Sequence, residues 1–337
     1  VSNPGTGPDK NAALWGAARG LAPAPVAAIE LAGAGANSHV YRVRCASADY
    51  ALKQYPAAPR DTGDRLDVEW RALSFLAENG VAEAPRPIAR SSESGFILME
   101  WIEGVPVGRH GTADLHRAIG FMIRVFELSR LPEARLFPPA VEACPSGASI
   151  VEQIDRRLDA FERNEWLDLF LDTHFLPAYR EAREGALGSD WAGDLPPGRR
   201  RLIPADFGFH NALRTSDGRL RYFDFDYFGW DDPVKLAADF ILHPAMSLTS
   251  SDGERVAKAL AAALPDDARF LSRLDALLPL YALRWALILL NPFRSDRKPA
   301  GEVAPNDRER LLSQRLRKAN RMTQRALDFP SGRFAFE

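Results

Sequence analysis

The spacing of apolar residues changes character along the chain. Between residues 26 and 55, strand-forming residues are interrupted by turn material at Gly33-Ala34-Gly35-Ala36-Asn37 and again from Ala46 to Asp49. The runs Val40-Tyr41-Arg42-Val43 and Tyr50-Ala51-Leu52-Lys53-Gln54-Tyr55 are therefore predicted as antiparallel strands. From Asp64 to Glu78 the period becomes helical, with Leu66, Leu73 and Leu76 on one face and Asn79-Gly80 as the stop. Pro85 and Pro87 mark an extended passage, and Gly95 to Ile102 reads as a buried strand closed by Glu103-Gly104. Beyond Asp114 the pattern predicts helices near 113–130, 149–162, 165–183, 233–242, 252–263, 266–290 and 306–327, with Pro279 as a kink.

The fold class expected from this order is α+β. A small antiparallel β unit over residues 26–101 precedes a larger, mainly helical unit over 102–337. Residues 1–25, rich in glycine and proline, are expected as a loose extension. They contain no basic start followed by an apolar core, so they do not read as a signal peptide.

Composition narrows the classes of function. Forty-three basic against 45 acidic residues leave a formal charge of -2, with no global field to attract nucleic acid or a membrane. The most apolar stretch, Ala286 to Leu290, is far too short to cross a bilayer. Cys45 and Cys144 form no CxxC pair and suggest neither a disulfide framework nor a zinc site. The expected location is the cytoplasm, and the oligomeric state is left open.

The densest chemistry lies between Pro204 and Asp224. Asp217-Gly218 sits between two apolar-alternating runs, Ala212 to Ser216 and Arg219 to Phe223, and signals a two-residue hairpin turn. On that count Ser216 opposes Arg219 and Asn211 opposes Asp224, with Asp206 in the loop just before. An amide oxygen and carboxylates converging in this way suit magnesium, which keeps several waters and takes further ligands from phosphates.

Two further residues need each other. Lys53 ends a strand, Tyr50-Ala51-Leu52-Lys53, that matches the V-A-I-K form in residue type. In that form the lysine reaches the phosphates of ATP, and the small Ala51 leaves room for adenine. Glu69 falls on the inward stripe of the following helix, where a carboxylate is costly unless paired, and Lys53 is the natural partner. The turn from Gly33 to Ser38, with Asn37 and Ser38 at its end, is a candidate cover for phosphates, although it lacks a third glycine. No GxxxxGK[ST] sequence is present, which argues against a P-loop enzyme.

In this order the pieces resemble the aminoglycoside phosphotransferase and choline kinase superfamily, with its two-lobed protein-kinase-like fold. The resemblance is most specific at Asp206-Phe207-Gly208-Phe209-His210-Asn211, at Asp224-Phe225-Asp226, and at Gly229-Trp230-Asp231-Asp232-Pro233. It implies an ATP- and magnesium-dependent transfer of phosphate to a hydroxyl group. By the same resemblance Asp206 orients the acceptor hydroxyl and takes its proton, and Asn211 and Asp224 hold magnesium. Lys53 binds phosphates, Glu69 positions Lys53, and the segment Glu100 to Ile102 meets adenine. One departure stands out: Pro204 occupies the position where the family usually carries histidine.

The acceptor is expected to be small. Asp232-Pro233 opens a helix soon after Asp224, leaving no room for the activation segment and A-P-E sequence of a protein kinase. Trp191, Tyr227, Trp230, Tyr281 and Trp285 are candidates to line a site for a sugar, amino alcohol or aminoglycoside-like drug, with Asp226 and Asp231 supplying charge. Tyr281 and Trp285, at helical spacing among leucines, read better as core. The basic residues from Arg308 to Arg325 read as a solvated helix face. The competing reading is a nucleotide-binding regulatory protein that keeps the fold without transfer.

Overall fold

The computed structural model describes residues 8–34, 38–55, 65–294 and 305–328. The chain opens with helix α1 (Pro8–Leu21), strands β1 (Val26–Ala34), β2 (His39–Cys45) and β3 (Asp49–Gln54), and helix α2 (Arg65–Glu78). Strands β4 (Pro87–Ser91), β5 (Phe96–Glu100) and β6 (Val105–Pro106) follow, then helices α3 (Thr112–Leu128) and α4 (Gly147–Asp159). Helices α5 (Glu165–Phe170) and α6 (Leu176–Leu187) are joined by a π-helical turn, Leu171–Phe175. Four short strands come next: β7 (Arg201–Ile203), β8 (Ala212–Arg214), β9 (Leu220–Tyr222) and β10 (Gly229–Asp231). Helices α7 (Pro233–Leu242), α8 (Ser250–Ala262), α9 (Phe270–Leu289) and α10 (Pro305–Leu327) complete the chain. The α+β class read from the sequence is the one observed, and α9 runs through Pro279 without a break.

Two compact units divide the chain. One comprises Val1–Phe121 with Pro204–Phe228, the other Met122–Ile203 with Gly229–Glu337. This differs from the division expected at residue 101. Residues 204–228 join the first unit because β6 pairs with β8, and because the Tyr222 N–H donates to the Glu83 carbonyl at 2.7 Å.

The first unit is built on a five-stranded antiparallel sheet of order β1-β2-β3-β5-β4. Register pairs Val40 with Lys53 and Arg42 with Ala51, and β5 sets Met99 beside Ala51 and Ile97 beside Lys53. Side chains alternate across a strand, so Ala51 and Lys53 share one face and Tyr50 and Leu52 the other. Tyr41, Val43, Leu52, Phe96 and Leu98 form a buried cluster on that second face.

Helix α1 completes this cluster, which corrects the expectation of a loose extension over residues 1–25. Leu14 and Ala18, four residues apart, are both buried against the sheet. The composition hid this because Gly16 and Gly20 meet no neighbours and cost little more than intrinsic helix propensity there.

The second unit buries most of α9, including Tyr281 and Trp285, so both aromatics belong to its core. Its charged interior is paired. Arg273 holds Asp232 at 2.7 Å and Asp267 at 2.5 Å, while Arg284 bonds Asp239, Gln153 and Glu142. Lys235 donates to Asp239 at 2.8 Å. Gly229 is required by close approach, since a Cβ there would lie 2.6 Å from the Pro138 carbonyl oxygen and the Ala140 nitrogen. Among the described residues no helix is long and apolar enough to cross a membrane.

The packing of α1 gives a direct check. Leu14→Ala is expected to cost about 2–5 kcal/mol, the range for truncating a buried leucine. Thermal or denaturant unfolding measures it, and a neutral substitution would return α1 to a dispensable extension.

Candidate active site

Lys53 stands at the centre of the first unit's polar interior. Its side chain lies on the sheet face opposite the α1 cluster and is only 4% exposed. The ammonium donates to Glu69 Oε2 at 2.6 Å and to Asp224 Oδ1 at 2.5 Å. Glu69 is 1% exposed and sits among Leu66, Ala72, Leu73 and Leu76 on the buried stripe of α2, as the helical spacing predicts. It accepts three donors: Lys53, the Tyr55 hydroxyl on the same oxygen, and the Phe225 N–H at 3.1 Å on the other. The Lys53 ammonium also lies 5.0 Å from the centre of the Tyr55 ring.

Burial works against the charge on Lys53, but the carboxylates of Glu69, Asp224 and Asp226 outweigh it and hold its pKa above the ordinary lysine value. Burial pushes Glu69 upward, and the Lys53 charge pulls it back. Asp226 is pushed up to about 8 by burial and by the neighbouring Asp224 carboxylate. Its principal cation besides Lys53 is Arg65, whose Nη1 lies 3.6 Å from Asp226 Oδ2. Removing one partner of a buried ion pair leaves an uncompensated charge, a loss of about 3–5 kcal/mol.

The second feature is the loop before β8. Ala205 and Asp206 adopt positive φ angles of 38° and 25°, and Asp224 has φ 71°. Left-handed backbone at residues other than glycine costs about 1–3 kcal/mol each and persists only where the surroundings enforce it. Here Phe207 stacks on Phe121 at 5.2 Å and packs on Tyr222 at 4.7 Å, while His110 stacks on Phe209 at 4.9 Å. Asn211 Nδ2 donates to the Asp206 carbonyl at 3.0 Å, and His210 Nε2 lies 3.3 Å from Asp206 Oδ1. Aromatic anchors and a short side-chain tether hold the loop in shape.

The hairpin that follows is shifted by one residue from the predicted register. Ala212 pairs with Tyr222, Leu213 with Arg221 and Arg214 with Leu220. Asn211 is therefore level with Phe223, whose N–H donates to the Asn211 carbonyl at 3.1 Å, and Asp224 is not its direct partner. The turn is a three-residue loop closed by Gly218 N–H to Thr215 O at 2.9 Å, with Gly218 at φ 80°. The Asp217 carboxylate selects it by accepting from the Thr215 hydroxyl and the Arg219 N–H. Asp224 leaves the ladder in its left-handed turn, and its carboxylate meets Lys53 instead.

The remaining expected residues are placed as follows. Ala51 is buried beside Lys53's face, Ile102 is buried, and Ser38 is half-buried ahead of β2. Asn37 lies outside the described residues. Glu100 directs its carboxylate to Arg221 at 2.9 Å and to the Arg86 N–H at 3.1 Å. Asp226 belongs to the first unit, whereas Trp191, Trp230 and Asp231 belong to the second. Asp231 is 1% exposed and accepts the N–H groups of Cys144 and Asp232, so its charge is spent on backbone and is not open to a substrate. Trp230 donates to the Ala134 carbonyl, and Trp191 carries the Arg269 guanidinium at 4.1 Å from its ring centre. Tyr227, expected to line the acceptor site, accepts a hydrogen bond from Arg65 at 2.6 Å, while Arg65 and Tyr55 were missed by sequence reasoning. Of these only Arg65 carried a usable signal, one helical turn before Glu69 on the same face.

The donor set is compatible with a divalent cation. Because Asn211 anchors through Nδ2, its Oδ1 remains an acceptor, and Asp224 offers a partly exposed carboxylate. Both are hard oxygen donors of the kind magnesium takes.

Comparison with known proteins places this geometry in context. No curated protein matches the chain by sequence. Among solved structures, the spectinomycin phosphotransferase APH(9)-Ia, in complex with ADP and spectinomycin, aligns with a TM-score of 0.62 at 10% identity, over 91% of this chain and 96% of that one. A choline kinase from Cryptosporidium parvum Iowa II aligns at 0.56 and 12% identity, covering 89% of this chain and 90% of its own. An ethanolamine kinase from Plasmodium vivax aligns at 0.55 and 11%, covering 87% and 81%. At such identities these likenesses establish the fold, protein-kinase-like with an antiparallel N-terminal sheet and a helical C-terminal region. The model of the phosphotransferase enzyme family matches residues 28–274, most of the chain, and the protein belongs to that family.

Proposed function

We propose that the protein transfers the γ-phosphate of ATP to a hydroxyl group of a small molecule. The observation that carries this reading is the Lys53 ammonium, fixed between Glu69 at 2.6 Å and Asp224 at 2.5 Å in a buried site. A lysine so held stays protonated and points its charge at one place, as phosphate binding requires. Phosphoryl transfer asks little covalent work of a protein, so positioning and charge compensation are the main tasks.

In this reading Asp206 receives the acceptor hydroxyl, orients its oxygen toward the γ-phosphorus, and takes its proton as the new O–P bond forms and the bond from that phosphorus to the β–γ bridging oxygen breaks, with ADP as the leaving group. Its strained backbone and the Asn211 tether to its carbonyl support a fixed orientation for that carboxylate. Asn211 Oδ1 and Asp224 would hold magnesium, which when bound neutralises charge on the phosphates. Ala51 and the Glu100–Ile102 segment would receive the adenine, and Ser38 would lie over the phosphates. The early start of α7 at Pro233 supports a small acceptor, because no long platform for a peptide follows Asp224. The aligned spectinomycin, choline and ethanolamine kinases support the same class of acceptor.

Two outcomes are expected. Asp206→Asn should lower turnover by about 10²–10⁴-fold, the contribution of a positioned general base. Its melting temperature should stay close to that of the parent. Full activity in that variant, or in Asp224→Ala, would sink the assignment.

The acceptor can be found by ADP release across sugars, amino alcohols and aminoglycosides, after a thermal-shift screen with ATP and magnesium. A nucleotide-dependent shift with no transfer to any hydroxyl compound would favour the regulatory reading. No shift with any nucleotide would count against both.

A further inference from the structure

Helix α2 touches the residues after Asp224 at two levels. At the first, Glu69 Oε1 accepts the Phe225 N–H at 3.1 Å. One turn earlier, roughly 5.4 Å along the axis, Arg65 reaches the same stretch of chain. Arg65 Nη2 donates to the Tyr227 hydroxyl at 2.6 Å, the guanidinium lies 4.6 Å from the Tyr227 ring centre, and Nη1 stands 3.6 Å from Asp226 Oδ2. Phe225, Asp226 and Tyr227 are thus each held from α2, whereas Asp224 itself is held through Lys53.

This grip has two physical consequences. Three carboxylates, Glu69, Asp224 and Asp226, crowd the site against two cations, Lys53 and Arg65. Arg65 is the cation that faces Asp226 directly, which leaves Lys53 to Glu69 and Asp224. In addition, Asp224 sits in a left-handed turn at φ 71°, and a strained residue keeps its conformation only while the chain on either side is fixed. The β9 strand fixes the side before Asp224; Glu69 and Arg65 fix the side after it.

We propose that Arg65 is a positioning residue for Asp224, acting through Tyr227 and Asp226 to set the direction of the Asp224 carboxylate. The inference rests on the phosphotransfer reading, in which Asp224 is a metal ligand. A guanidinium is needed because one planar group must stack on a ring, donate to its hydroxyl and face a carboxylate together; lysine cannot do all three.

The test compares Arg65→Lys and Tyr227→Phe with the parent by three measurements. Hydrogen exchange of the Phe225, Asp226 and Tyr227 amides in the ligand-free protein reads the grip itself and is expected to speed up in both variants. The affinity of Mn2+ with ADP, read by electron paramagnetic resonance, is expected to weaken by about 10–100-fold in Arg65→Lys, as for residues that orient metal ligands, and less in Tyr227→Phe. ADP release is expected to lose kcat with little change in the KM for ATP. Unchanged exchange, unchanged Mn2+ affinity, or activity that falls only in step with melting temperature would overturn the proposal. A parent protein that fails to bind Mn2+ with ADP would instead overturn the phosphotransfer reading, and faster exchange at residues 225–227 in the variants would still support the grip.

Discussion

A buried ammonium is the constraint around which the first unit is arranged. Lys53 is almost wholly removed from water, and an isolated charge there would cost several kcal/mol. The chain meets that cost with carboxylates from two distant stretches, Glu69 from α2 and Asp224 from beyond β9. Because Glu69 also accepts from Tyr55 and from the Phe225 amide, one side chain joins the sheet, the helix and the loop after the hairpin. Moving any of the three breaks a hydrogen bond that the others need. The sheet register then matters in a specific way, since the pairing of Lys53 with Val40 and Ile97 keeps its side chain on the face opposite the α1 cluster.

Strain in this unit collects where the chemistry is proposed. Ala205, Asp206 and Asp224 are left-handed, and none is glycine. What enforces the first two is mainly aromatic packing, with Phe207 against Phe121 and Tyr222 beneath the loop. What enforces the third is polar, through Lys53, Glu69 and Arg65. Pro204 sits at the entry to this loop, where its fixed φ removes one source of freedom just before the strained pair. A proline at that point is consistent with a loop shaped by restriction.

The parts that were legible in the sequence are those governed by local period. Lys53 at the end of an alternating run and Glu69 on a leucine stripe could be matched because burial made each a liability alone. The helices from α2 to α10 followed from spacing for the same reason. The hairpin register was misjudged by one residue because Asp217 has a second use. Its carboxylate binds Thr215 and the Arg219 N–H, and this favours a three-residue loop over the two-residue turn that Asp-Gly suggests. Helix α1 was hidden by glycines that fall on an open face. The Arg65 contact was beyond local reading, since Tyr227 lies 162 residues away.

The same accounting of paired charge bears on the acceptor. A polycationic acceptor needs carboxylates that are not already neutralised. In the second unit Asp232 and Asp267 share Arg273, and Asp239 is held by Lys235 and Arg284. Glu142 is clasped by Arg157 and Arg284, whose charges hold its carboxyl down to about 2 against the effect of burial. Asp231 is covered by backbone N–H groups and is pushed up to about 7 by its burial. Asp231, Asp232, Asp239 and Asp267 therefore build the interior, whereas the Glu142 side chain stays 39% exposed while paired to two arginines. Asp231, the acidic group expected to supply charge there, therefore serves the fold of the second unit and is closed to a ligand.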